Sequence, residues 1–255
     1  MPMNIRLTAL VAVLLTALPA CAQTAPVRVA AGSNPLTIPL TRETQQALSP
    51  ADVLQRFKDG NERFLADRPI ERDFLGQIRL TSGGQFPMAT VLGCIDSRVP
   101  HEIIFDKGVG DLFSARIAGN FINTDMLGSL EFSTAVAGAK LIVVLGHSEC
   151  GAVKGACDNV QLGNLTSTLS NIAPAVYAVT DVEGPRTSAN KAFVDAVAHE
   201  NVDQTVNNIV GRSTIIRGLV ESGNLIVIGA MHDVSTGRVT FDEADAVTAA
   251  SLARR

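Results

Sequence analysis

Aromatic residues are scarce in this chain. Tryptophan is absent, there is one tyrosine, and Phe, Trp and Tyr together make up 4% of 255 residues. Platforms on which nucleic-acid bases stack need such rings, so that class of binding is disfavoured. Positive charge is also short. The 21 Lys and Arg are outnumbered by 25 Asp and Glu, and the net charge is −4. No basic stripe gathers the cations, which argues against a nucleic-acid partner. Gly108, Gly110, Gly119 and Gly128 do not form a G-x-G-x-x-G turn after a strand, so a dinucleotide site is rejected. His199-Glu200 lacks the second histidine of a zincin helix. No internal repeat is found.

No apolar run is long enough to span a bilayer. The longest, residues 7–18, is about a dozen residues. It follows Arg6 and ends at Pro19-Ala20-Cys21-Ala22. A basic start, an apolar centre and small residues at the end read as a secretory signal over 1–22. Two cuts fit. Ala20-Cys21-Ala22 matches cleavage after Ala22, giving a soluble product. Leu18-Pro19-Ala20-Cys21 resembles a lipobox, in which Cys21 would carry a lipid anchor, although Pro19 departs from that pattern. Either cut implies an exported protein, periplasmic in a bacterial setting.

Cysteine is rare as well. With Cys21 in the signal, Cys94, Cys150 and Cys157 remain. An odd number cannot all pair within one chain in an oxidising compartment. A metal would occupy the remainder.

What is present is an ordinary globular composition, 46% hydrophobic, long enough for one domain with a tail. Residues 23–48 hold Pro26, Pro35 and Pro39 among small residues and read as a flexible tether. Ser49-Pro50 is an N-cap followed by proline at the first helical position. Val53, Leu54, Phe57, Phe64 and Leu65 give that helix an apolar face, and Asp67-Arg68-Pro69 ends it. From Met88 onward, short apolar runs alternate with helical stretches: MATVLG, nearly all apolar, 141–145 and 225–230 as buried strands, and 127–139, 151–157, 191–209 and 213–220 as helices. Residues 231–241 read as strand, Ser-Thr-Gly turn and strand. Such alternation predicts an α/β domain over 49–255: a mostly parallel β-sheet flanked by helices, with an N-terminal helical arm.

Two buried strands end in metal-ligand residue types. The first delivers Cys94; the second delivers His147 and Cys150. Strand ends in an α/β sheet converge on one crevice. Two Cys and one His leave zinc's fourth position free, as in catalytic sites, and thiolate with imidazole favours zinc over magnesium or calcium. Taken alone this is a weak signal, because structural cysteines in buried strands are common. Alternation on an extended segment puts Cys94, Asp96 and Arg98 on one side. Arg98 would grip Asp96 through two bonds and keep it ionised.

Cys94-x-Asp96-x-Arg98 with His147-x-x-Cys150-Gly151 resembles the β-class carbonic anhydrases. LGCIDSRVP, EIIFDKGVGDLFSARIAGN, GSLEF and LIVVLGHSECGAVKGA are similar to that family in the same order and spacing, across residues 49–241. The resemblance implies one zinc per chain on Cys94, His147 and Cys150, with Asp96 and Arg98 as a catalytic pair. It implies reversible hydration of carbon dioxide to bicarbonate and a proton through a zinc-bound hydroxide. It places Gln85, Phe113 and Phe132 around the substrate, Phe132 standing where many members have Tyr. It implies a homodimer or homotetramer in which helix 49–65 wraps the partner. Val91 and His232 stand where some members carry the Trp and Tyr of an inhibitory bicarbonate site, so no such switch is expected. His101 is expected as a solvated residue opening a surface helix, and Cys157 as a small buried hydrophobe. Asn164-Leu165-Thr166, a glycosylation acceptor pattern, carries little weight in a bacterial-looking chain. Two other readings remain: the same site hydrating carbon disulfide or carbonyl sulfide, and a zinc-binding surface protein without turnover.

Overall fold

The structure, a computed structural model, describes residues 35–254. The expected signal with Cys21, and the first part of the tether, lie outside the described residues.

Five strands form one sheet: β1 (Ala89–Gly93), β2 (Leu112–Arg116), β3 (Leu141–His147), β4 (Ile226–His232) and β5 (Val239–Phe241). Their spatial order is β2-β1-β3-β4-β5, and all pairings are parallel except β4 with β5. The expected mostly parallel sheet is observed, with the Ser-Thr-Gly turn closing the antiparallel hairpin. β1 and β3 are buried along their whole length, which is why both read as nearly continuous apolar runs, with Thr90 inside the first and His147 ending the second.

Alternation then sorts their side chains between two faces. Val91, Val143, Leu145 and Ile228 pack with Val53 and Phe57 of α2 (Pro50–Leu65) and with Phe105, which follows α4 (His101–Ile104). Leu92, Ile142, Val144 and Val227 pack with Val202, Val206 and Ile209 of α9 (Lys191–Arg212) and with Ile216 of α10 (Thr214–Glu221). The Ser49 hydroxyl caps α2 at the Asp52 amide, and Asp52 returns the bond, as the Ser-Pro signature predicts. Phe57 is fully buried; truncating such a ring to alanine costs about 3–5 kcal/mol. Helix α2 thus packs its Val53–Phe57 face on the sheet of its own chain.

The last part of the expected tether is ordered. α1 (Arg42–Gln46) buries Gln45, whose amide donates to the Pro87 and Ala137 carbonyls. Leu40 and Leu48 pack on the α2 side of the core. Three prolines signal a chain without internal hydrogen bonds, but they do not prevent it from binding to a sheet beside it. The remaining helices are α3 (Phe74–Thr81), α5 (Thr124–Glu131, continued by a wide turn through Val136), α6 (Gly151–Cys157), α7 (Gly163–Ser170), α8 (Ala173–Ala178) and α11 (Ala249–Leu252). Among the described residues no helix is long and apolar enough to cross a membrane.

Candidate metal centre

Register brings the predicted ligands together. Gly93 pairs with Leu145, so β1 and β3 leave the sheet side by side at its carboxyl end. Cys94 follows β1 directly and His147 ends β3. The chain then turns through Glu149 in the left-handed region (φ 57°) and presents Cys150 as the residue before α6. The ligand atoms of Cys94, His147 and Cys150 lie within 4.8 Å of one another, and all three residues are buried. Among the described residues no other Cys, His or acidic side chains form such a group with them.

The environment of each ligand suits a cation. The His147 Nδ1–H donates to the Ser148 carbonyl at 2.9 Å. That bond leaves Nε2 as a bare lone pair, and Nε2 is buried without a partner. A buried polar atom with no partner is costly, and here it faces two sulfurs. The Cys94 thiol is pushed well below its ordinary range by the neighbouring Cys150 thiol, then by His147 and by the Gly119 amide. Cys150 is pushed up, first because it shares its proton with Cys94 and next by burial. Two close sulfurs without a cation hold one negative charge between them; a coordinated cation ionises both. Three soft donors of this kind fit a thiophilic divalent metal.

Asp96 and Arg98 form the expected pair. Arg98 Nε donates to Asp96 Oδ1 at 3.0 Å and Nη2 to Oδ2 at 2.8 Å, and the Arg98 backbone amide reaches Oδ1 at 2.9 Å. These bonds hold the Asp96 carboxyl far below the usual carboxylate range. Its Oδ2 lies 4.0 Å from His147 Nε2. Arg98 Nη2 also reaches the Glu149 carbonyl at 3.3 Å, joining the two ligand-bearing loops.

Gln85, Phe113 and Phe132 do not join this cluster within one chain. Gln85 is exposed and precedes β1 at the sheet's opposite end. Phe113 pairs with Thr90, four residues before Cys94, roughly 13 Å away at about 3.3 Å per residue. Phe113 and Phe132 meet edge to face at 6.2 Å. With Thr90 and Met126 they line a groove of about 650 Å³ along β2, the open edge of the sheet.

His101 departs from expectation. It does open a helix, but it is fully buried, bonded through Nδ1 to the Ser114 hydroxyl at 2.7 Å. Gly93 makes the room: a Cβ there would lie 2.2 Å from His101 Nε2. Burial, then the charges of Arg116 and His232, push the ring's pKa down to about 3. Cys157 is a buried small hydrophobe, as expected. His199 is exposed. His232 is buried in register with His147, and burial lowers its pKa. Sequence reasoning missed Arg116, which braces the ligand loop by donating to the Cys94 carbonyl at 2.9 Å and the Asp96 carbonyl at 2.6 Å. No local pattern marks Arg116 in the sequence: what places it is the register that sets it opposite Gly93.

Comparison with known proteins agrees with this geometry. The family model described as carbonic anhydrase matches residues 89–239. Carbonic anhydrase 2 of Mycobacterium tuberculosis is 36% identical over 199 residues, covering 76% of this chain and 93% of that protein. The carbonic anhydrase of Mycolicibacterium smegmatis is 36% identical over 75% of this chain and 92% of its own. Among solved structures, a tetrameric β-carbonic anhydrase from Sordaria macrospora superposes with a TM-score of 0.56 at 27% identity, over 64% of this chain and 83% of that one. The β-carbonic anhydrase CcaA does so at 0.57 and 26% identity, over 75% and 85%. With three ligands gathered where that fold's strands end, and relatives matched along most of its length, this chain belongs to the β-class carbonic anhydrases.

Proposed function

We propose that the chain hydrates carbon dioxide reversibly to bicarbonate and a proton at one zinc ion per chain, held by Cys94, His147 and Cys150. The unpartnered, buried Nε2 of His147 between two thiols carries this reading. A zinc ion there supplies a Lewis acid that brings the pKa of water from 15.7 to about 7. Asp96 Oδ2 accepts a hydrogen bond from the attacking water and turns a lone pair toward the carbon. Arg98 keeps Asp96 ionised and holds it off the ligand cluster. Arg116 fixes the backbone that carries both Cys94 and Asp96. The test is stopped-flow hydration with the native, chelator-stripped and zinc-restored protein. Loss on stripping and recovery with zinc is expected; turnover that survives stripping rejects the reading.

We further infer a homodimer, pairing into tetramers as the Sordaria macrospora relatives do. Phe132 is 52% and Val136 71% exposed beside the unpaired edge of β2. Phe113, about 13 Å from its own ligands, and Gln85 and Phe132 beside that end of the sheet serve a substrate only if an assembly brings them from one chain to the centre of another. Export to the periplasm through the signal at 1–22 completes the proposal; cell fractionation tests it.

A further inference from the structure

We propose that Asn201 is a positioning residue for the Cys94 thiolate, acting through the turn at Gly119. This rests on the metal-centre reading above. Asn201 lies on α9, is 3% exposed, and stands 107 residues after Cys94 in sequence. Its Nδ2 donates to the Gly119 carbonyl at 2.9 Å, within the core. Gly119 in turn donates its backbone N–H to Cys94 Sγ at 3.4 Å. A buried amide placed beside a backbone donor to a metal-ligand sulfur, the Asp96 amide being the other, calls for a reason beyond packing.

The turn around Gly119 shows what Asn201 adds. Ile117 is anchored by its amide to the Gly93 carbonyl at 3.0 Å, and the Asn120 amide closes the turn on the Ile117 carbonyl at 3.0 Å. Gly119 sits between these bonds at φ +83°, where glycine moves freely and other residues do not. No side chain fits there, since a Cβ would lie 2.3 Å from Ile172 Cδ1. The backbone must therefore be glycine, and glycine alone would leave the direction of its peptide groups loose. Asn201 holds the Gly119 carbonyl from the α9 side. With the Asn120–Ile117 bond, the peptide unit after Gly119 is thereby fixed on both edges, and the φ/ψ of Gly119, which sets where the N–H of the preceding unit points, has less freedom. An N–H bond to a metal thiolate draws charge from the sulfur, and groups outside the ligand set that orient ligands typically change metal affinity by 10–100-fold.

The test compares Asn201→Ala with Asn61→Ala, both loaded with cobalt in place of zinc. Asn61 is an equally buried amide, bonded to the Ile104 and Gly237 carbonyls and the Val239 amide on the other face of the sheet. Both variants should lose stability. Only Asn201→Ala should move the sulfur-to-cobalt charge-transfer band to lower energy and release metal to a chelator about 10-fold or more readily. An unmoved band and native metal retention overturn the inference, as does an equal shift in Asn61→Ala. Should Asn201→Ala not fold, the native protein loaded with cadmium-113 decides. A scalar coupling from the Gly119 amide proton to the metal is expected, and its absence refutes the relay. A native chain that binds neither metal removes the metal-centre reading and this inference with it.

Discussion

Replacing Arg98 with alanine should slow carbon dioxide hydration by about 100-fold while the metal stays bound. Asp96 has three donors from that residue: two from the guanidinium and one from the backbone amide. The substitution removes the two and keeps the one, so the carboxylate gains freedom to swing. The distance it must travel is small. Asp96 Oδ2 lies 4.0 Å from His147 Nε2. An oxygen and a nitrogen bound to one tetrahedral zinc at about 2.1 Å each lie about 3.4 Å apart. Closing that separation by at least roughly 0.6 Å would let Asp96 bind a zinc ion held by the cluster and fill its open position. A positioned acid or base is worth about 10²–10⁴-fold in rate; the surviving backbone bond sets the expectation at the lower end. Arg98→Lys should fall between, because an ammonium cannot fork across both oxygens. The assay is stopped-flow kcat/KM with metal analysis of the same sample and a crystal structure of the variant. Native turnover in Arg98→Ala, with Asp96 where it stands now, would refute the reasoning.

Gly93→Ala should destabilise the protein by about 1–3 kcal/mol, because its methyl group meets His101 Nε2 at 2.2 Å. Denaturant unfolding should show much of that loss recovered in Gly93→Ala/His101→Ala, and no recovery would count against the contact. His101 itself predicts a pH dependence. Its folded pKa, about 3, is below the unfolded value of about 6.5, so the unfolded chain takes up the proton first. Its contribution is complete above about pH 6.5 and is lost as the pH falls toward 3, by up to about 1.4 kcal/mol per pH unit. Metal-free native protein should thus lose stability faster than metal-free His101→Gln between pH 6.5 and 4.5; equal slopes would refute the assignment. Phe132→Asp should yield a zinc-loaded monomer of low activity in sedimentation and hydration assays. A variant that still assembles and turns over would remove Phe132 from the interface.

The sheet was legible because its central strands are buried on both faces, which writes nearly continuous apolar runs at 89–93 and 141–146, Thr90 being the one polar residue. Helices α7 and α8 were not foreseen. GNLTSTLS and APAVYA are short, and each buries a single residue, Leu169 and Ala175, too few to show a period. The candidate ligands were legible because cysteine and histidine are rare here and stand at or just past the ends of those strands. Asp96 and Arg98 were legible because their bonds span two residues. Bonds across long stretches left no local trace. His101 is buried because Gly93, eight positions earlier, has no side chain, and Asn201 meets Gly119 from 82 residues away. The candidate substrate residues were placed by family resemblance alone, and no local pattern in the sequence tells how far they lie from the ligands in one chain.

The closeness of the Cys94 and Cys150 sulfurs also bears on handling. Two thiols near enough to share one ion are near enough to join to each other, giving up two protons and passing two electrons to an oxidant. Cation loading and air oxidation thus compete for the same pair of atoms. Stripping under reductant should be reversible by adding metal. Stripping in air should yield protein that metal alone cannot revive and that a thiol reagent restores.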